Sequence, residues 1–263
     1  MNQLFDIACN FTHESFNEDL KDVIASALKN NTNKFLVVSA QLDDVEKINN
    51  LVNTYKDNFY FTVGVHPHHA NQFKDGSTQK MRELIINNTP HAIGEMGLDF
   101  FRNLSTKEEQ IYAFEEQIKL AIEFDKPLFL HQRDSHDLFI QILRKYKNDI
   151  NNAVVHCFTG TQAELDDYLE CGFCIGLTGW ICDERRNKDL RASIKNIPLD
   201  KLMLETDSPY LIPRNLKPKP KNNRNEPSNL MHIANEITLL RDESLEEICN
   251  STYENSLNFF KKV

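Results

Sequence analysis

His91-Ala92-Ile93-Gly94-Glu95-Met96-Gly97-Leu98-Asp99 sets a carboxylate, Glu95, at the end of a short apolar strand and between two glycines. Metal-bridging and catalytic acids are commonly presented this way. Three later apolar runs stop on metal-ligand residue types: Pro127-Leu128-Phe129-Leu130-His131, Ala153-Val154-Val155-His156 and Leu202-Met203-Leu204-Glu205-Thr206-Asp207. Singly, each such residue has an ordinary structural use, a histidine as a satisfied core or capping group, an acid as a cap or ion-pair member. Their shared phase is the informative property. In a (β/α)8 barrel every strand runs the same way, so each C-terminal strand residue arrives at one rim, where reacting groups collect.

Outward from these four segments, short apolar strands alternate with helical patterns along the whole chain. Strands are expected at 4–9, 34–39, 59–65, at 174–177, at 201–205, and in runs ending at Glu95, His131 and His156. Helices are expected near 17–30, 43–57, 78–88, 106–124, 135–147, 162–171, 187–195, 228–240 and 243–260, with capping-box character at Ser105-Thr106-Lys107-Glu108-Glu109. Alternation of this kind implies α/β with a parallel sheet. The expected fold is therefore an α/β (β/α)8 TIM barrel of the metal-dependent hydrolase type, one domain over 1–263. A doubly wound sheet would want a glycine-rich phosphate turn after the first strand, and Asp6 to Thr12 contains no glycine.

The 263 residues suit one barrel, and 40% hydrophobic with 26% charged residues is an ordinary globular composition. No apolar run approaches the ~20 residues of a membrane span, and residues 1–30 show no charged-then-apolar signal segment, so a cytoplasmic, monomeric protein off the membrane is expected. Six scattered cysteines do not form a disulfide framework; Cys171-Gly172-Phe173-Cys174 lacks the second pair of a zinc ribbon and does not open a helix as a redox motif should. A net charge of −9 argues against coating nucleic acid non-specifically.

Imidazole nitrogens combined with carboxylate oxygens suit Zn²⁺, Mn²⁺ or Mg²⁺ with a position open for water or substrate. Glu95, His131, His156 and Asp207 are the expected ligands. Gly64-Val65-His66-Pro67-His68-His69 adds three histidines past the third strand; His66, nearest the strand end, is the candidate for touching substrate or metal, and His68 and His69 read as surface residues. Arg133 is placed to face a phosphate or to pair with Asp134. Residues 213–224 carry Arg214, Lys217, Lys219, Lys221 and Arg224 without an acid, held extended by prolines, and read as phosphate-backbone contacts at the same rim. Trp180 and Tyr210 lie just beyond the last two strands, where an aromatic can stack on a base, although core packing suits Trp180 better.

With these residues in place, the sequence resembles the TatD family of metal-dependent deoxyribonucleases. The motifs run in order over nearly the whole chain: GVHPH at 64–68, IGEMGLDF at 93–100, FLHQRD at 129–134, VVHCFTGT at 154–161, GLTGWICDERR at 176–186, LETDSPYL at 204–211 and RNEP at 224–227. The resemblance implies a (β/α)8 barrel, a 3′→5′ exonuclease-type phosphodiesterase and a divalent metal; hydrolysis by a metal-activated water is expected, with DNA, single-stranded by expectation, as substrate. It maps the family's ligands onto Glu95, His131, His156 and Asp207, with His66 and Glu205 supporting them. The expected catalytic carboxylates are thus Glu95, Asp207 and Glu205. Most family members carry His-x-His after the first strand; here Asn10-Phe11-Thr12 stands there, and His13 is out of phase. Losing two imidazoles weakens one half of a two-metal site, so one tight divalent ion is expected, with a second weak or arriving with substrate.

Two rival functions bear on the same residues. One is a metal-dependent hydrolase of another ester or C–N bond, for example an aminoacyl ester on tRNA. It leaves the strip at 214–224 without a purpose when the substrate is small and uncharged. The other is a binding protein with a vestigial site, against which four intact ligands argue.

Overall fold

The computed structural model describes residues 2–220 and 223–261. Eight strands form one parallel sheet in chain order: β1 (Leu4–Cys9), β2 (Thr32–Val37), β3 (Phe59–Val63), β4 (Ala92–Asp99), β5 (Leu128–Arg133), β6 (Ala153–Val155), β7 (Cys174–Leu177) and β8 (Leu202–Leu204). Sequential parallel pairing from β1 to β8 is the topology of the (β/α)8 barrel, and this is the fold. The ends of the sheet meet at a parallel bridge between Cys9 and Ser208, reinforced by the Asn10 N–H on the Ser208 carbonyl at 2.9 Å. Asp6 of β1 fastens the same seam, its carboxylate accepting from the Thr206 N–H at 2.8 Å and the Thr206 hydroxyl at 2.5 Å.

Between and after the strands run α1 (Leu20–Lys29), α2 (Val45–Thr54), α3 (Ser77–Asn88), α4 (Lys107–Glu123), α5 (His136–Lys145), α6 (Gln162–Glu170), α7 (Lys188–Ser193), α8 (Leu230–Thr238) and α9 (Leu245–Phe259). Thr106 and Glu109 close the capping box expected at α4, and Thr161 with Glu164 and Ser244 with Glu247 do the same for α6 and α9. None of these helices is long and apolar enough to cross a membrane.

Side chains alternate between two cores, as strand pleating requires. The outward residues, such as Phe35, Val37, Phe59, Leu128 and Leu204, pack against the helices. The inward cluster takes Phe5 and Ile7, Leu36, Tyr60, Ala92, Phe129, Val154, Cys174 and Met203, at least one residue from every strand, and Phe259 and Phe260 join it from the end of α9. Phe260 lies 5.7 Å from Phe5, ring to ring. The N-terminal half of the barrel is therefore filled.

Two strands run further than the sequence suggests. The apolar run before Glu95 and the glycines around it read as a strand that stops there, yet β4 continues to Asp99 and β5 passes His131 to Arg133. Pairing resumes after an irregularity between Ile93 and Met96, with Gly97 opposite His131 and Asp99 opposite Arg133. Glu95 thus sits in a bulge rather than at a strand end, and a bulge re-aims the side chain it carries. The glycines make this possible. Gly94 and Gly97 have φ of +148° and +145°, and a Cβ on Gly97 would stand 1.9 Å from the His131 carbonyl oxygen. Gly97→Ala combines overpacking with an unfavourable backbone and should cost about 3 kcal/mol or more. Thermal denaturation should show a midpoint lowered by roughly 6–12 °C; an unchanged midpoint would mean that β4 and β5 are not so closely apposed.

Candidate metal centre

Glu95 is the hub of the rim. Its Oε1 lies 3.2 Å from His66 Nε2, 2.9 Å from His131 Nδ1 and 2.8 Å from His156 Nε2. His66 follows the end of β3, His131 lies within β5, and His156 comes directly after β6. Burial alone would raise the Glu95 carboxyl, but the charges and hydrogen bonds of His156, His66 and His131 outweigh it and hold the group well below its usual range. The same coupling works in reverse on two of the rings. Burial opposes charge on His131 and His156, yet Asp99 and Glu95 raise the first, and Glu95 and Glu205 raise the second well above an ordinary histidine.

Each of these two rings has an acid behind it. His156 Nδ1 faces Glu205 Oε2 at 3.5 Å, and His131 Nε2 faces Asp99 Oδ2 at 3.5 Å. Carboxylates in this position fix which ring nitrogen points forward. The forward nitrogens, His131 Nδ1 and His156 Nε2, are 3.4 Å apart. Two ligands each ~2.1 Å from one tetrahedral ion stand about this far apart. Among the described residues, His66, Glu95 and His131 offer ligand atoms within 4.8 Å of one another, which makes the group a candidate metal site.

His66 differs from the other two rings. Its Nδ1 accepts the His68 backbone N–H at 3.0 Å, so the neutral ring carries its proton on Nε2, towards Glu95. Burial lowers its pKa to about 4, which keeps it neutral. It is an N–H donor in this state rather than a lone-pair donor.

Asp207 reaches the rim from beyond β8 and is held by Asn10, whose Nδ2 donates to its Oδ1 at 3.0 Å. Burial drives its pKa up; His156 pulls it back, Glu95 and Glu205 add to the rise, and the net position is about 7. Asn10 thus occupies a carboxylate oxygen of Asp207 at the place where the resemblance expects an imidazole.

Several sequence expectations are corrected here. Glu205 is fully buried behind His156 and accepts the Cys157 backbone N–H, so it positions that ring and does not face the open rim. His68 is not a free surface residue: its Nε2 meets Asp99 Oδ2 at 2.7 Å. Arg133 pairs with the ring of Phe101, guanidinium to centroid 3.9 Å, rather than with Asp134. Arg214 is engaged by Glu184 at 3.3 Å and Asp183 at 3.9 Å. Arg224 is buried, gripping Asp19 through both terminal nitrogens at 2.8 and 2.7 Å and Glu226 at 2.7 Å, above the ring of Phe16. That is a clamp on the start of α1, and a phosphate has no access to it. Lys217 and Lys219 are exposed, while Lys221 lies outside the described residues. Trp180 packs partly against the core, and Tyr210 stands half-exposed beside Asp207, edge-on to His13 at 5.6 Å.

The profile of the TatD-related DNase family matches residues 5–261. The chain belongs to this family. It is similar to the 3′-5′ ssDNA/RNA exonuclease TatD of Yersinia pseudotuberculosis, 44% identical over 260 residues that cover 99% of this chain and all of the relative. The protein of the same name from Pectobacterium carotovorum is 42% identical over 258 residues, covering 98% and 99% of the two chains. Among solved structures, a TatD homologue from Escherichia coli superposes with a TM-score of 0.91 at 26% identity, covering 100% of this chain and 99% of its own. A TatD-family hydrolase from Entamoeba histolytica gives 0.88 at 29%, covering 99% of each chain.

In this TatD-family chain, the sequence reading missed Asp99, which is 1% exposed and holds both His68 and His131. The signal was available in Leu98-Asp99, one further apolar–acid step along β4. Burial would raise the Asp99 carboxyl, but His131, His68 and the Arg102 backbone N–H hold it well below the usual range.

Proposed function

We propose that this chain is a metal-dependent 3′→5′ exonuclease that hydrolyses phosphodiester bonds of single-stranded DNA, and of RNA as the relatives' name extends it. The observation that carries this reading is one carboxylate oxygen of Glu95 within 3.2 Å of three imidazoles at the rim of a TatD-family barrel. His131 Nδ1, His156 Nε2 and Glu95 would hold the divalent ion, with Asp207 completing the set. Such an ion polarises a phosphoryl oxygen and lowers the pKa of a bound water towards neutrality. Asp99 and Glu205 keep the two ligand rings in the forward tautomer. His66 keeps its Nε2 on Glu95 Oε1 at 3.2 Å and would steady that carboxylate between the rings. Asp207, with Oδ1 held by Asn10 at 3.0 Å, would bring its Oδ2 to the ion. Lys217 and Lys219 extend outward as phosphate contacts for the strand behind the scissile bond.

The direct test uses single-stranded DNA labelled at either end. The wild-type protein with Mg²⁺, Mn²⁺ or Zn²⁺ should shorten it stepwise from the 3′ end, and Glu95→Ala should lower the rate by about 10³-fold or more with the circular dichroism unchanged. A folded Glu95→Ala protein of near wild-type rate would sink the assignment.

Metal titration tests the ligand set. Calorimetry on metal-free protein should give about one tight equivalent of Zn²⁺, lost in His131→Ala with His156→Ala. Asn10→His with Thr12→His should add a second. Asp207 is raised to about 7, and His131 and His156 are also raised, so protons compete with the ion below neutrality. Affinity should rise from pH 6 to pH 8, by about tenfold per unit for each proton released. A flat pH profile, or two tight equivalents in the unmodified protein, contradicts this account.

The basic segment separates by burial. Lys217→Ala with Lys219→Ala should raise KM for oligonucleotides and flatten its log–log salt slope by about 1.4, some 0.7 per single-strand contact. Thermal stability and cleavage of a nitrophenyl phosphodiester should be spared. Arg224→Ala should do the reverse, costing about 2 kcal/mol of stability with the salt slope unchanged.

A further inference from the structure

Beyond β4, the chain turns at Phe100-Phe101-Arg102-Asn103-Leu104, and two large apolar side chains of this turn face solvent: Phe101 is 57% exposed and Leu104 59%. An exposed Leu or Phe is unremarkable on a surface. Phe101 differs in how it is held. Its backbone N–H donates to Asp99 Oδ1 at 3.0 Å, next to the Arg102 N–H at 2.8 Å, while Asp99 Oδ2 holds His68 at 2.7 Å and faces His131. One buried carboxylate therefore fixes a candidate metal ligand on one side and the Phe101 backbone on the other. The ring is fixed as well, since the Arg133 guanidinium sits 3.9 Å from its centroid. Arg133 is in turn placed by β5, two residues past His131, with its carbonyl accepting the Phe100 N–H at 2.9 Å.

We infer that Phe101, braced by Arg133, is a stacking platform for an unpaired base among the two 3′-terminal nucleotides of the substrate. The inference rests on the exonuclease reading above and specifies how that site takes its strand. A flat apolar ring with a cation over one face, and still 57% exposed, suits a nucleotide in both of its parts. The face away from Arg133 can take any base, and the guanidinium offers N–H donors to the adjoining phosphate. Stacking reads neither the sugar nor the Watson–Crick edge, so DNA and RNA are equally served. It does need the base out of a duplex. The platform therefore favours single-stranded ends, and it couples strand position to the metal centre through Asp99.

The test uses the metal-loaded protein and short single-stranded oligonucleotides, either intact or abasic at the last or the penultimate 3′ nucleotide. Wild-type protein should show KM raised about tenfold on one of the two abasic substrates, the scale of losing one base–aromatic stack. Phe101→Ala should raise KM about tenfold on the intact strand and no longer distinguish it from that abasic one. Its kcat on a nitrophenyl phosphodiester should be unchanged. Phe101→Trp should restore the discrimination, and Leu104→Ala, in the same turn without a cation partner, should match wild type. The platform is overturned if Phe101→Ala retains the abasic discrimination, if Leu104→Ala loses as much as Phe101→Ala, or if the small phosphodiester suffers equally. A wild-type protein that shortens no oligonucleotide would instead remove the exonuclease reading, and this inference with it.

Discussion

Presenting Glu95 to three imidazoles interrupts the regular pairing of β4. The strand bulges between Ile93 and Met96, and the ladder is recovered only because Gly97 lets the backbone close on the His131 carbonyl. That closeness then sets the position of His131, which is opposite Gly97, and of Arg133, which is opposite Asp99. His156 enters by the same pairing logic, its N–H on the Leu130 carbonyl at 3.0 Å. The geometry of the rim is thus a property of three adjacent strands, with Glu95 as the charge that keeps three rings together.

A second feature is the pairing of acids with histidines on both sides of this hub. Asp99 and Glu205 place carboxyl groups at positions 1% and 0% exposed, an expensive arrangement for charge unless something positive answers it. The raised His131 and His156 answer it when protons occupy them, and a divalent ion at their forward nitrogens would answer it more fully. Asp207 is the exception. Burial pushes its carboxyl up to about 7, with Glu95 and Glu205 adding to the rise, and Asn10 is a neutral partner that tolerates either state.

The barrel was legible from the alternation of apolar runs with helical patterns and from the shared phase of Glu95, His131, His156 and Asp207, since strand direction alone carries such residues to one rim. What was illegible depended on depth and pairing. Glu205 and Asp207 are two residues apart, yet one lies behind His156 and the other is held at the rim by Asn10, a difference made by the turn after β8. Asp99 was missed because two glycines read as a strand end when they in fact allow a bulge. Composition likewise cannot separate Arg224, turned inward to Asp19, from Lys217 and Lys219, which face water. One detail was not anticipated: Asn10 itself engages Asp207.

The inward cluster that ends at Phe260 has a bearing on traffic. With Phe5, Tyr60, Phe129 and Met203 filling the barrel beneath the rim and α9 packed at its far end, the site is a bowl with a solid floor. A strand cannot be threaded through such a vessel, and a released mononucleotide must leave by the mouth through which the chain end came in. In the exonuclease reading, exit and advance therefore share one doorway, and each turnover obliges the shortened end to back away before it can settle again.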